Sequence, residues 1–174
     1  MKRLSLLLFA VLFSVTAFAQ QKLDSDFTQT KVIKVSGKTS NKAGHIVYDG
    51  NNQLKMTYTN PNGEYFIIDG NNVKINLDGK KHDINASKVK KVELQRSTLL
   101  NCLSGKWEQA AADNNAELTI KEDKGIKTVS INAKGKVPKG GYKSMELTYR
   151  LSDSGMIKMV LEDSNGIINT YEIK

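Results

Sequence analysis

Cysteine, histidine, proline and tryptophan are nearly missing from this chain of 174 residues: Cys102 and Trp107 are single, and there are two histidines and two prolines. A lone thiol closes no disulfide within the chain, so cross-links contribute nothing to the fold. His45 and His82 stand far apart, with no flanking His, Cys or carboxylate at metal-ligand spacing, which argues against a metal centre. Cys102 has no histidine placed as its base and reads as a small buried hydrophobe. No G-x-S-x-G nucleophile elbow occurs. Gly37-Lys38-Thr39 matches the end of a phosphate-binding loop, but Val32 stands where that loop needs glycine, so the segment reads as a strand end and turn. The neighbouring carboxylates Glu162-Asp163, and Asp24 with Asp26, read as solvated turn residues. Asn85-Ala86-Ser87 fits a glycosylation acceptor on three residues alone. Neither an enzyme nor a cofactor is expected.

Long apolar runs are equally scarce. One stretch, Leu4 to Phe13, follows Lys2-Arg3 and precedes Ala17-Phe18-Ala19 ahead of Gln20, the three parts of a secretory signal peptide. It is shorter than the about 20 apolar residues a spanning helix needs. Residues 1–19 are therefore expected to be cleaved, leaving 155 of the 174 residues as one domain, 20–174, soluble outside the cytoplasm and monomeric. The formal charge of +8 falls to +6 without Lys2 and Arg3. Such a surface suits anionic lipid or acidic partners rather than nucleic acid, or serves solubility alone.

What remains is rich in alternation. Polar and apolar residues alternate through Leu54, Met56 and Tyr58, through Val73, Ile75 and Leu77, and through Met145, Leu147, Tyr149 and Leu151, which predicts half-buried strands. Turn clusters such as Asp49-Gly50-Asn51-Asn52, Asn60-Pro61-Asn62-Gly63, Asp69-Gly70-Asn71-Asn72 and Asp78-Gly79 separate them and signal successive hairpins. Further strands are expected over Phe27–Lys38, His45–Tyr48, Tyr65–Ile68, Lys81–Asn85, Glu117–Lys121, Lys127–Ala133, Met156–Glu162 and Ile167–Ile173. That makes about eleven, enough to curve or close a sheet. One segment departs from the period: Val89, Val92, Leu99, Leu100, Leu103 and Trp107 recur at helical spacing. Gly105 divides it into a helix over Ser87–Ser104 and a short one over Trp107–Ala111, ended by Asp113-Asn114-Asn115. The fold class is thus α+β, an incomplete antiparallel β-barrel with a helical lid inserted mid-chain.

Several segments, in order, resemble a known family. Phe27-Thr28-Gln29-Thr30 opens the first strand, Tyr58-Thr59-Asn60-Pro61-Asn62-Gly63-Glu64 joins two strands, and Ile68-Asp69-Gly70 opens a hairpin. Leu99 to Gly105 with Trp107 fills the helical insertion, and Asp153-Ser154-Gly155 precedes a late strand. The set resembles the outer-membrane lipoprotein carriers of the LolA type. The resemblance implies an unclosed barrel whose apolar concave face is covered by helices, with acyl chains held between. It also implies a periplasmic route for triacylated lipoproteins from an inner-membrane exporter to an outer-membrane acceptor.

Two departures stand out. Gln20 to Asp26 are too few for the helix many such carriers place before Phe-Thr-Gln. After the second strand, Asp49-Gly50-Asn51-Asn52 replaces the Arg beside Pro that links sheet to lid.

The ligand-facing set expected from alternation and the helical stripe is Leu54, Met56, Tyr58, Ile75, Leu77, Leu100, Leu103, Trp107, Met145 and Leu147. Tyr65-Phe66-Ile67-Ile68 is apolar on both faces, so alternation leaves the inward face open. A carrier of another amphiphile, such as a glycolipid or pigment precursor, and a non-carrier β-scaffold binding module are the alternatives to a lipoprotein carrier.

Overall fold

The computed structural model describes residues 22–139 and 141–174, so the expected signal peptide lies outside the described residues. Six strands, β1 (Leu23–Ile33), β2 (Lys38–Tyr48), β3 (Gln53–Asn60), β4 (Asn62–Asp69), β5 (Asn72–Leu77) and β6 (Lys80–Asn85), form a first meander. A 3₁₀ turn (Ala86–Lys88), α1 (Lys90–Leu103) and α2 (Trp107–Asp113) follow. A second meander comprises β7 (Ala116–Asp123), β8 (Ile126–Ala133), β9 (Tyr142–Arg150), β10 (Met156–Asp163) and β11 (Ile167–Ile173).

All eleven strands join one antiparallel sheet in the order β6-β5-β4-β3-β2-β1-β11-β10-β9-β8-β7. The two meanders meet in its middle, where β1 pairs with β11 from Phe27 opposite Ile173 to Ile33 opposite Ile167. The free edges are therefore β6 and β7, the strands on either side of the helical insertion. A twisted sheet of this width curls. The chain that leaves one edge and enters the other must then cross the open side, which places the helices over the concave face.

Local chemistry agrees with this path. Asp78 (φ 52°) and Gly79 (φ 73°) form a tight turn with both residues left-handed, the type whose twist matches paired strands. At the end of α1, Gly105 adopts φ 75°; its N–H reaches the Cys102 carbonyl at 3.3 Å and the Lys106 N–H reaches that of Asn101 at 2.8 Å. These are the two bonds of a Schellman cap, which stops the helix and turns the chain into α2.

One core cluster runs across the inward faces of both meanders and beneath the helices. Val129, Leu147 and Met159 lie side by side across β8, β9 and β10, each at most 1% exposed. Leu100, Cys102 and Leu103 of α1 and Trp107, Ala110 and Ala111 of α2 are buried with them in one cluster. Trp107 is anchored twice, its indole N–H donating to the Cys102 carbonyl at 3.2 Å and to the Tyr149 hydroxyl at 3.3 Å. Cys102 is buried as expected, and burial pushes its thiol up to about 12, which keeps it unreactive.

The structure corrects three local expectations. The strand expected over Phe27–Lys38 contains a hairpin: β1 ends at Ile33 and β2 begins at Lys38 and runs through the polar Thr39-Ser40-Asn41-Lys42 before reaching His45. Long-range pairing with β1, rather than hydrophobic alternation, holds those residues extended. The first helix starts at Lys90 instead of Ser87, and Val89, which falls on the stripe at helical spacing, is its cap residue and 42% exposed. Leu151 lies beyond β9 and is 41% exposed.

Gly44 of β2 is the tightest point of the first meander. A Cβ there would stand 2.3 Å from the Thr57 carbonyl oxygen and 2.9 Å from the Phe27 ring. The missing side chain lets Phe27 lie edge-on to Tyr58 at 5.4 Å and to Tyr171 at 5.8 Å. Gly44→Ala is expected to cost about 1–3 kcal/mol, lowering Tm by roughly 2–4 °C per kcal/mol. A thermal melt unchanged within error would show that β3 yields freely at this point.

Candidate functional site

Between the concave face and α1 lies an open cavity of about 380 Å³, within the range of small-molecule sites. The first meander supplies its floor with Met56 and Tyr58 of β3, Phe66 and Ile68 of β4, and Val73, Ile75 and Leu77 of β5. Met159 and Leu161 of β10 and Tyr171 of β11 continue it across the β1–β11 seam. The roof is α1, through Val92, Gln95 and Arg96 of its N-terminal half and Leu99 just beyond.

Polarity is graded along the strands. From the closed end to the open end, β1 presents Phe27, Gln29 and Lys31, and β4 presents Ile68, Phe66 and Glu64. The β2 strand passes Ile46 and Gly44 before Lys42, and β11 passes Ile173 and Tyr171 before Asn169. Successive inward positions on neighbouring strands come into row because the sheet is antiparallel and nearly in register: Gln29 stands opposite Lys42 on one side and Tyr171 on the other.

The rim is a chain of ion pairs. Lys42 Nζ is paired with Glu64 and lies 2.7 Å from Asp78 Oδ1, while Lys31 Nζ lies 3.0 Å from Asp78 Oδ2. Glu64 also accepts the Asp78 backbone N–H at 2.8 Å, fixing the β5–β6 turn over the opening. Burial acts to lower the Lys42 ammonium, yet its bonds to Asp78 and Glu64 outweigh this and hold it above the ordinary lysine value. Hydrogen bonds from Lys42 and then Lys31 hold the Asp78 carboxyl below the usual carboxylate range. Inside the rim, burial pushes the Tyr58 and Tyr171 hydroxyls up, that of Tyr58 to about 12.

Arg96 ties roof to sheet. Its guanidinium binds Glu93 at 2.6 and 2.9 Å and donates to the Gly70 carbonyl of the β4–β5 turn at 3.0 Å. At the β2–β3 turn, where the sequence lacks an Arg beside Pro, Asp49 instead accepts the Asn51 and Gln53 N–H groups at 2.8 and 3.0 Å. The segment before Phe27 holds no described helix, since residues 23–26 already belong to β1.

Of the residues expected to face a ligand, Met56, Tyr58, Ile75 and Leu77 come together in this cavity. Leu103 lines a smaller hollow of about 200 Å³ at the other end of the strands, with Tyr48 and Met156. Leu54, Leu100, Trp107, Met145 and Leu147 are buried in the core. Sequence reasoning missed Phe66, Ile68, Val73, Tyr171 and the roof residues Val92, Gln95 and Arg96. Alternation would have offered Val73, but the four apolar residues of β4 hide their own faces. Gln29, Lys42, Glu64 and Asp78 carried no periodicity that marks them as lining one cavity, because only pairing between distant strands assembles them. Among the described residues no His, Cys, Asp and Glu group could hold a metal ion.

A family model described as the outer membrane lipoprotein carrier protein LolA matches residues 19–174. No curated protein sequence matches the chain. Among solved structures, it is similar to a LolA superfamily protein of Nitrosomonas europaea at 6% identity and TM-score 0.38, covering 90% of this chain and 86% of that one. It is similar to the Mycobacterium tuberculosis lipoprotein LppX at 10% identity and TM-score 0.32, covering 87% and 85% of the two chains. In the MucA/MucB complex of Pseudomonas aeruginosa the identity is 12% and the TM-score 0.42, covering 86% of this chain and 50% of that one. On the family match across nearly its whole length, the chain belongs to the outer membrane lipoprotein carrier protein (LolA) family.

Proposed function

We propose that the protein is a periplasmic carrier that shields the acyl chains of lipoproteins under α1 and moves them from an inner-membrane exporter to an outer-membrane acceptor. The observation that supports this reading best is the apolar hollow of about 380 Å³ between sheet and roof, in a class of structure whose interiors are ordinarily close-packed. At about 0.8 kcal/mol per CH₂, a sixteen-carbon chain costs on the order of 12 kcal/mol to expose to water. A shielded route is therefore needed. Met56 and Met159 in the floor bring flexible thioethers that adapt to chains of differing shape.

The two halves of α1 divide the work. Its C-terminal half, with Leu100, Cys102 and Leu103, is core, while the N-terminal half is half-exposed roof, pinned to the sheet by the bond of Arg96 to Gly70. Entry of a chain lifts the roof about the anchored half. The tether comes from the roof, in place of the sheet-borne Arg of the better-known carriers. Native mass spectrometry of protein taken from its own periplasm tests the proposal. Acyl-bearing adducts are expected, and a ligand-free protein that also takes up no acyl probe would rule out the carrier.

A further inference from the structure

Gln29 stands where the apolar floor gives way to the charged rim, and it is 6% exposed. Its amide NH₂ donates to Asn169 Oδ1 at 2.8 Å, joining β1 to β11. Its carbonyl oxygen has no hydrogen-bond partner, the one such buried side-chain atom among the described residues. A buried acceptor left without a donor is costly, and in a close-packed protein it needs a reason. Rotation about the terminal torsion of glutamine is soft, so the amide can turn this oxygen toward the cavity that both it and Asn169 line, exchanging the bond to Asn169 for one to a ligand.

The charges around it are already satisfied. The three cations lining the cavity are Lys31, Lys42 and Arg96, and each is held by a carboxylate: Asp78, Asp78 with Glu64, and Glu93. Asp163, also in the wall, accepts the backbone N–H groups of Asn165 and Ile167 at 2.8 and 2.9 Å. The cavity thus offers no spare cation to an anionic head. What it offers is an acceptor, one strand position inside the rim, where the head of a chain lying on the floor would come to rest.

We infer that the cavity selects amphiphiles carrying a hydrogen-bond donor, an amide N–H or a hydroxyl, next to the acyl chain, and that the Gln29 carbonyl receives it. Free carboxylates and tertiary or ester heads are disfavoured. This rests on the carrier reading and adds the chemistry of the head group. The ligand's donor replaces the bond to water that Gln29 lost on folding, whereas an ester leaves it unmade.

Displacement of a bound fluorescent probe, 1-anilinonaphthalene-8-sulfonate, by matched dodecyl ligands tests the inference. N-methyldodecanamide differs from N,N-dimethyldodecanamide by the N–H, and dodecanol from dodecyl methyl ether by the O–H. The donor-bearing member of at least one pair should bind about tenfold more tightly, or about 1.4 kcal/mol. Which pair shows the preference tells amide from hydroxyl. Laurate should bind no better than its methyl ester. Gln29→Leu should abolish the preference while the N,N-dimethyl amide still binds. The double variant Gln29→Leu/Asn169→Leu, which removes both amides, should behave alike and guards against misfolding from a stranded Asn169. Equal affinities within both pairs for the native protein, or a preference that survives in a folded double variant, overturn the inference and leave the carrier standing. If none of the ligands binds the native protein, the carrier reading falls with it.

Discussion

Leu147→Glu is expected to destabilise the protein by about 4 kcal/mol or more at pH 7, much of the 5–15 kcal/mol that holds a domain together. Leu147 is 0% exposed, between Val129 of β8 and Met159 of β10, so a carboxylate there has no water and no partner. The folded state keeps such a group neutral by raising its pKa above the unfolded value of about 4.3. The ionisation penalty is therefore absent below that value and grows by about 1.4 kcal/mol per pH unit as pH rises toward the folded pKa. Part of the loss, the missing leucine packing, persists at every pH. Urea midpoints at pH 4.5 and 7 should show the deficit shrinking on acidification. A native midpoint at neutral pH, with acyl binding lost, would instead place Leu147 on a ligand-accessible face.

The contrasting result is expected from Ile75→Glu. Ile75 is a half-buried residue of β5, flanked by Phe66 of β4 and His82 of β6, in the wall of the cavity under α1 and at the margin of the core. A charged side chain can reach water there, so the fold should survive with a modest shift in midpoint. Binding should not survive. Excluding three or four CH₂ groups from the floor forfeits about 3 kcal/mol, about two orders of magnitude in Kd for a fluorescent acyl probe. An unchanged Kd in the folded variant would mean that chains do not lie along β5. The two variants together separate core from cavity, a distinction alternation cannot make.

That distinction lies outside what a strand's alternation encodes. Leu147 and Ile75 look alike in sequence, each an apolar residue alternating with polar neighbours in a strand. Both indeed face inward. One is packed against the helices and the other faces the void beneath the roof, and the landing place of a helix depends on where it leaves the sheet. Trp107 and Leu100 show the same effect from the helical side: the stripe at helical spacing is real, but its C-terminal half meets β9 while its N-terminal half roofs a void.

By itself the sequence determined the α+β class, the hairpin punctuation, the mid-chain helices and their division at Gly105, because these rest on short-range periods and on turn residues whose φ preferences are local. It also carried, in segments from Phe27-Thr28-Gln29 to Asp153-Ser154-Gly155, the resemblance that the family match bears out. Only the tertiary structure decided the site. Gln29 meets Asn169 across 140 positions, and Lys31 and Lys42 meet Asp78 across 47 and 36. Polar residues in exposed-looking strands carry no period that marks them as inward, and the β1–β11 pairing that closes the middle of the sheet joins the two ends of the fold. Such contacts are set by register between distant strands, so a cavity with an apolar floor, an ion-paired rim and an unmet acceptor between them emerges only once the sheet has curled.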